Sequence, residues 1–295
     1  MSIHKLTAGS GYDYLTRQVA AFDATAKGHL GLASYYAERG ESPGVWVGSG
    51  MVGIDGLQAG DAVTAEQMRS LFGAGMHPLA AQRLEQLPDA DLTDDNVRAA
   101  TWFGAPFKVV DSRPNRFQIE VARRFAQHAA KLLAPDSRDI RAEVAREFFQ
   151  TEHGRPPADE RELAAAIAKL SRPPAQAVAG YDLTFSPVKS VSTLWAVADS
   201  HIAALIERAH QAAVRDALMF IEKHALFTRE GALGVRQVNV HGLVAAAFTH
   251  RDSRSGDPDL HTHVAVANKV QTFEGRWLSI DGRVLFKAAV SASET

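Results

Sequence analysis

His250-Arg-Asp-Ser-Arg-Ser-Gly-Asp-Pro-Asp-Leu-His261-Thr-His263 is the stretch on which the reading of this chain turns. Side chains two residues apart on a strand share a face, so His261 and His263 offer two imidazoles side by side. The residues between His250 and His261 are rich in Ser, Gly, Pro and Asp, which signals a turn between two strands. Folding that hairpin antiparallel brings His250 beside the pair and makes a three-nitrogen pocket for one divalent metal. Three protein ligands leave positions open for water or substrate, as a catalytic site requires and a closed structural site does not. The plainer alternative is packing or surface use of three among twelve histidines. The third histidine across a hairpin turn favours the metal. His128, His153, His201, His210 and His224 fall in or beside helical stretches and read as ordinary surface residues.

Composition narrows the classes open to the chain. Its 295 residues suffice for one large domain or two small ones. With 46% hydrophobic and 22% charged residues it resembles ordinary soluble proteins. No stretch reaches the apolar length of a membrane helix, and Met-Ser-Ile-His-Lys at the N-terminus lacks a signal-peptide core. The expectation is a cytoplasmic protein without membrane insertion. Cysteine is absent, so any metal must be held by His, Asp or Glu. A net charge of −2 leaves no bulk footprint for nucleic acid. Residues 1–100 hold 7 Lys and Arg against 12 Asp and Glu, and residues 101–295 hold 25 against 22. A polyanionic partner must therefore be held by a local patch.

Around the histidine hairpin the chain alternates strands and helices. Ile3 to Thr7 reads as a short strand, followed by a helix from about Tyr12. Residues 40–60 are glycine-rich and read as loop, without the G-x-x-x-x-G-K-[S/T] pattern of a P-loop anywhere in the chain. Phe117, Val121, Phe125, Ala129 and Leu132 recur at helical spacing. Ile140, Val144 and Phe148 mark a second helix ending near Gly154, and Leu163, Ile167 and Leu170 a third, closed by Pro173-Pro174. Residues 115–172 thus read as a helical insert. Tyr181 to Ser192 reads as a strand entering a turn, with Asp182 at the strand's start. A long helix runs from about Asp199 to Leu226, with Ile202, Leu205, Ala209, Ala213, Ala217 and Ile221 along one stripe. Strands from Val235 to His250 and from His261 to Thr272 follow, then a last short strand after Gly275-Arg-Trp277. Strands mixed with helices around a central hairpin point to an α+β fold.

Tyrosines are the second unusual feature. Four of the five, Tyr12, Tyr14, Tyr35 and Tyr36, fall within 25 residues. Packing or interface use is the ordinary explanation. The chemical one is nucleophilic: a phenol near a metal loses its proton more readily and attacks phosphorus or a carbonyl. Asp182 is an ordinary edge residue unless it lies beside a histidine ligand, where a carboxylate holds the imidazole tautomer.

Early tyrosines, Asp182-Leu-Thr-Phe-Ser-Pro-Val-Lys-Ser-Val-Ser192, and His250 with Asp257-Pro-Asp-Leu-His261-Thr-His263, in this order, resemble the MobF (TrwC/TraI-type) conjugative relaxases. Tyr35-Tyr36 followed by Gly44-Val-Trp46-Val-Gly48-Ser-Gly50 is similar to a further stretch of that family. The resemblance covers nearly the whole chain except the helical insert. It implies a palm-like antiparallel sheet flanked by helices, the fold of HUH endonucleases. It also implies strand- and site-specific nicking of single-stranded DNA at a plasmid transfer origin, alongside other relaxosome and type IV coupling proteins. A tyrosine would attack the phosphodiester and stay joined to the 5′ phosphate. By the same resemblance His250, His261 and His263 hold one divalent ion (Mg, Mn or Zn). Asp182 orients a histidine or helps deprotonate the tyrosine. Lys189, Arg251 and Arg254 are the candidate DNA contacts.

The chain departs from the family pattern in places. Where relatives carry adjacent early tyrosines it has Tyr12-Asp-Tyr14. Tyr14, followed by Leu15, is the favoured nucleophile over Tyr12, and Tyr35 and Tyr36 are candidates for a second transesterification. Pro187-Val188-Lys189 replaces the usual Ala-Pro-Lys order. The family's helicase half is not found, and only 32 residues follow His263. The expectation is a C-terminally truncated relaxase catalytic domain over 1–295. Two other classes compete. One is a three-histidine hydrolase or lyase on a small substrate, although Val264 to Lys269 lacks the carboxylate of a cupin and Ala265 stands where a metallo-β-lactamase would need Asp. The other is a relaxase-like module that binds DNA without cutting it.

Overall fold

A computed structural model describes residues 1–15, 44–108, 115–130, 137–172, 176–253 and 257–294. Along the chain come strands β1 (Ser2–Thr7), β2 (Val45–Val47), β3 (Val178–Phe185), β4 (Phe227–Glu230), β5 (Arg236–Asn239), β6 (Ala245–Asp252) and β7 (Pro258–Ala267). Five of them form one antiparallel sheet in the order β1-β3-β7-β6-β2. β4 and β5 pair with each other in a separate ribbon. The histidine-bearing strands β6 and β7 therefore lie inside the sheet, with a partner on either side.

Between β2 and β3 run the short helices α1 (Ala65–Met68), α2 (Ala80–Glu85) and α3 (Asp94–Thr101), then α4 (Arg116–Ala130), α5 (Ser137–His153) and α6 (Glu160–Ser171). After β3 come α7 (Lys189–Val197) and α8 (Ser200–His224). The chain forms two compact units, one of Met1–Val109 with Gln176–Thr295 and one of Val110–Ala175. The second contains α4 to α6, closed on its own core of Phe117, Ile140, Val144, Ala145 and Leu163. The stretch 115–172 read as a helical insert falls within it. Among the described residues no helix is long and apolar enough to cross a membrane.

Period-two alternation gives the sheet two different faces. Leu6, Trp46, Ala246, Phe248, Ala265 and Ala267 point to one side and pack with Tyr12, Leu15, Met68, Leu71 and Phe72. Leu183, Phe185, Ala245, Val264 and Val266 point to the other and meet Val214, Ala217, Leu218 and Ile221 of α8. The first face carries the histidines; α8 covers the second. Gly180 is needed where β3 passes under Phe72, because a Cβ there would strike the Val266 carbonyl and the Phe72 ring.

Several expectations need correction. The glycine-rich stretch 40–60 contains β2, whose Trp46 is fully buried and donates from Nε1 to Gln67 Oε1 (3.0 Å). Its glycines serve close approach as well as turning. Gly48 sits at φ 104°, and a side chain there would meet the Leu243 carbonyl. The single strand expected from Val235 to His250 is two, since the chain leaves the β4–β5 ribbon after Asn239 and enters the main sheet at Ala245. Asp182 lies in the middle of β3, not at its start. The end of the Tyr181–Ser192 stretch, read as a turn, opens helix α7 (Lys189–Val197) despite its β-branched and Ser-rich sequence. Packing overrides propensity there: Ser192 is fully buried and its Oγ accepts the Leu260 N–H (3.3 Å). The buried stripe of α8 runs through Val214, Ala217, Leu218 and Ile221, while Ile202 and Leu205 are exposed. The helix itself starts as expected, with Asp199 accepting from His201 N (2.9 Å) and Ile202 N (3.0 Å).

Candidate metal centre

Cross-strand register brings the three histidines together. His250 on β6 pairs directly with His261 on β7, and His263 lies two residues further along the same strand and the same face. The imidazole centroids are 5.1 to 5.3 Å apart. One ring nitrogen from each lies within 4.8 Å of the others, so a single ion fits between them.

Hydrogen bonds fix two of the tautomers. His261 Nδ1–H donates to the Asp259 carbonyl (2.7 Å), and His263 Nδ1–H donates to Asp182 Oδ2 (2.9 Å) and Oδ1 (3.0 Å). Engaging Nδ1 leaves Nε2 with a lone pair available to a metal. His250 Nε2 is buried without a hydrogen-bond partner among the described residues, and unpartnered buried nitrogens are rare unless something else satisfies them. Burial, reinforced by the neighbouring His263 and His261, pushes the His250 pKa down to about 4 against the opposing pull of Asp182. That imidazole is therefore neutral at ordinary pH, the form in which it ligates. Orphan nitrogen, neutral ring and converging donors together fit a divalent ion.

Asp182 reaches this pocket from β3. Register places it opposite Ala265, two pairs from Thr184–His263 and so on the same face as His263. The residue is 2% exposed. Besides the His263 imidazole it accepts the phenolic hydroxyl of Tyr14 in a short hydrogen bond. Tyr14 packs edge-on to His263 at 6.0 Å between ring centroids and is 39% exposed. The result is a continuous phenol–carboxylate–imidazole chain at the mouth of the pocket.

Other candidates are placed differently. Tyr12 is 5% exposed and packs on Phe72 at 6.3 Å in the core. Burial and the nearby Asp13 raise its pKa against the effect of Arg69, which makes it a poorer source of phenolate. Arg251 does not join the histidines: it points to the opposite face of the sheet and pairs with Glu207 through two bonds of 3.0 Å. Lys189 lies at the start of α7, exposed, with Nζ donating to the Pro258 carbonyl (2.7 Å). Tyr35, Tyr36 and Arg254 lie outside the described residues.

Comparison with known proteins agrees with this geometry. Residues 8–295 match the TrwC relaxase family. The chain belongs to that family. Two relatives are forms of the multifunctional conjugation protein TraI from Escherichia coli. One is 41% identical over 113 residues, which is 38% of this chain and 6% of the relative. The other, from strain K12, is 41% identical over 102 residues, 34% of this chain and 6% of the relative. The chain thus spans a small fraction of the curated relatives it matches. Among solved structures, the conjugative relaxase TrwC in complex with oriT DNA, in a copper-bound form, aligns with a TM-score of 0.51 and 21% identity. That alignment covers 99% of this chain and 66% of the other, and it shows the shared fold.

Sequence reading missed part of what shapes this TrwC-family site. Glu222 of α8 accepts Ser49 N–H (2.7 Å) and Leu243 N–H (2.9 Å) with one oxygen, tying the turn after β2 to the entry of β6. His210, read as a surface residue, is half-buried behind β7 with Nε2 2.9 Å from Thr262 Oγ1. The available signal was its position three residues after Glu207 and four before Val214, on the side of α8 that faces the sheet.

Proposed function

We propose that this chain is a cytoplasmic relaxase that nicks and rejoins single-stranded DNA at a plasmid transfer origin, using Tyr14 as nucleophile. The observation that carries the reading is the Tyr14–Asp182–His263 hydrogen-bond chain beside the three-histidine pocket. Asp182 accepts the phenolic proton as Tyr14 attacks the scissile phosphorus. A bond forms between the phenolic oxygen and phosphorus, and the bond from phosphorus to the 3′ oxygen breaks. The 3′ oxygen takes up a proton from solvent and leaves as a hydroxyl, while the 5′ phosphate stays on Tyr14. One ester replaces another, so attack by the 3′ hydroxyl reverses the step.

His250, His261 and His263 would hold the divalent ion, which when bound polarises the phosphate oxygens and offsets their developing charge. An all-imidazole donor set suits Zn better than Mg or Mn, which prefer oxygen ligands. His263 also holds the Asp182 carboxylate in line with Tyr14. The partial exposure of Tyr14 leaves it open to a phosphodiester, whereas Tyr12 is closed off in the core. Origin DNA is the partner this chemistry requires, and relaxosome proteins would deliver it.

A nicking assay on single-stranded origin DNA tests the proposal. A covalent protein–DNA adduct with a free 3′ hydroxyl is expected. Metal binding with no effect on DNA would point to a small-molecule hydrolase, and DNA binding without cleavage to a module that has lost nicking.

A further inference from the structure

Helix α8 changes character where it passes behind the histidines. Val214, Ala217, Leu218 and Ile221 bury apolar surface against the sheet. On the same stripe, one turn earlier, stand His210 and Gln211. They meet Thr249 and Thr262, each the sequence neighbour of a triad histidine and each pointing to the opposite face. Gln211 Nε2 donates to Thr249 Oγ1 (2.7 Å), the two threonine hydroxyls are 3.1 Å apart, and His210 Nε2 lies 2.9 Å from Thr262 Oγ1. Thr249 and Thr262 are direct cross-strand partners, one pair along from His250 and His261. Thr262 has no exposed surface at all.

Stability alone does not call for this cluster. Valine fills the volume of threonine, and replacing bonded polar partners by apolar groups of the same shape is often nearly neutral. What hydroxyls add over methyls is direction. Thr262 sits between His261 and His263, so the orientation of its Cα–Cβ bond sets the pleat from which both imidazoles project. Thr249 does the same for His250.

We propose that His210 and Gln211 are positioning residues: through the Thr249 and Thr262 hydroxyls they fix the register and rotation of β6 and β7, and so hold the three imidazoles in the arrangement that takes one ion. This rests on the reading of the triad as a metal centre. It assigns α8 a role in the site although none of its residues reaches the pocket.

The test compares Thr262→Val, Thr262→Ser and Leu218→Ala in the full chain. Calorimetry with Mn(II) or Zn(II) alone gives metal affinity, and the spectrum of bound Cu(II) in electron paramagnetic resonance gives donor geometry. Histidine ring signals by NMR report the triad without metal. Loss of supporting hydrogen bonds around metal ligands weakens binding by about 10- to 100-fold, and the lower end is expected for Thr262→Val. Its Cu(II) spectrum should change and its metal-free histidine signals should broaden. Thr262→Ser keeps the hydroxyl and should restore both. Leu218→Ala loosens the same helix–sheet interface without touching the polar cluster and should lower the melting temperature while leaving metal affinity alone. Wild-type affinity, spectrum and ring signals in Thr262→Val would overturn the proposal. So would an equal loss of affinity in Leu218→Ala. Wild-type protein that takes no metal would instead refute the triad reading, with the ring signals still deciding whether Thr262 positions the imidazoles.

Discussion

Asp182→Asn is the substitution whose consequences follow most directly from the geometry. Asparagine keeps the shape of the side chain and one acceptor oxygen. Asp182 now accepts two donors, the Tyr14 hydroxyl and His263 Nδ1–H. The amide can satisfy one of them and turns its NH2 toward the other. A hydrogen bond to a charged group contributes about 1.5–3 kcal/mol, and losing one corresponds to roughly 10- to 150-fold. Two measurements separate the roles of the carboxylate. Calorimetry with Mn(II) should show affinity reduced by about 10-fold or more, because His263 loses its anchor. Nicking at saturating metal should still fall by about 100-fold, because the phenol has lost its proton acceptor. The melting temperature should change little, since the side chain shape is kept. Nicking restored fully by excess metal would limit Asp182 to anchoring His263. Metal affinity and saturated nicking both unchanged would refute the chain of hydrogen bonds as a functional unit.

Other outcomes follow from the same geometry. His261→Ala should remove measurable divalent-metal binding, because two imidazoles and water replace a three-nitrogen pocket; metal analysis after dialysis reads it, and wild-type occupancy would contradict it. Trp46→Ala should destabilise the protein by about 3–5 kcal/mol, the usual cost of deleting a buried aromatic, seen as a shifted urea midpoint. Metal-free protein should lose stability as pH falls from 6.5 toward 4. Burial lowers the pKa of both His77 and His250 to about 4, so between those values the unfolded chain binds more protons. Urea midpoints across that range should decline, and His77→Gln should flatten the decline.

The site was legible because its signals are local. An H-x-H pair with a polar turn before it specifies face, partner strand and chemistry within fourteen residues, and β6 and β7 pair as that spacing requires. Tyr14 stood out only as one of four clustered tyrosines and Asp182 only as a conditional partner of a histidine. Their roles at the site came from family resemblance, since no spacing links residues 168 positions apart that meet only across the sheet. Arg251 shows the limit of the approach. Basic and close to His250 in sequence, it faces the other way, a consequence of strand alternation that charge counting ignores. The stripe of α8 was right at Ala217 and Ile221 but misplaced in its first half for a related reason. Alanines at 209 and 213 suit either side of a helix, and the sheet selected the side bearing His210, Gln211 and Val214. β2 was hidden because a three-residue strand among glycines has no periodicity to detect, and its place depends on the fit of Trp46 in a core built from distant segments.

Mass spectrometry of the protein after reaction with single-stranded origin DNA tests the central claim most directly. Digestion should yield one peptide, containing Tyr14, carrying the oligonucleotide through its 5′ phosphate. Tyr14→Phe, which removes only the hydroxyl, should abolish the adduct, while Tyr12→Phe and Tyr35→Phe keep it. An adduct that survives Tyr14→Phe and vanishes in Tyr12→Phe would contradict the assignment, since Tyr12 would then have to leave the core to react.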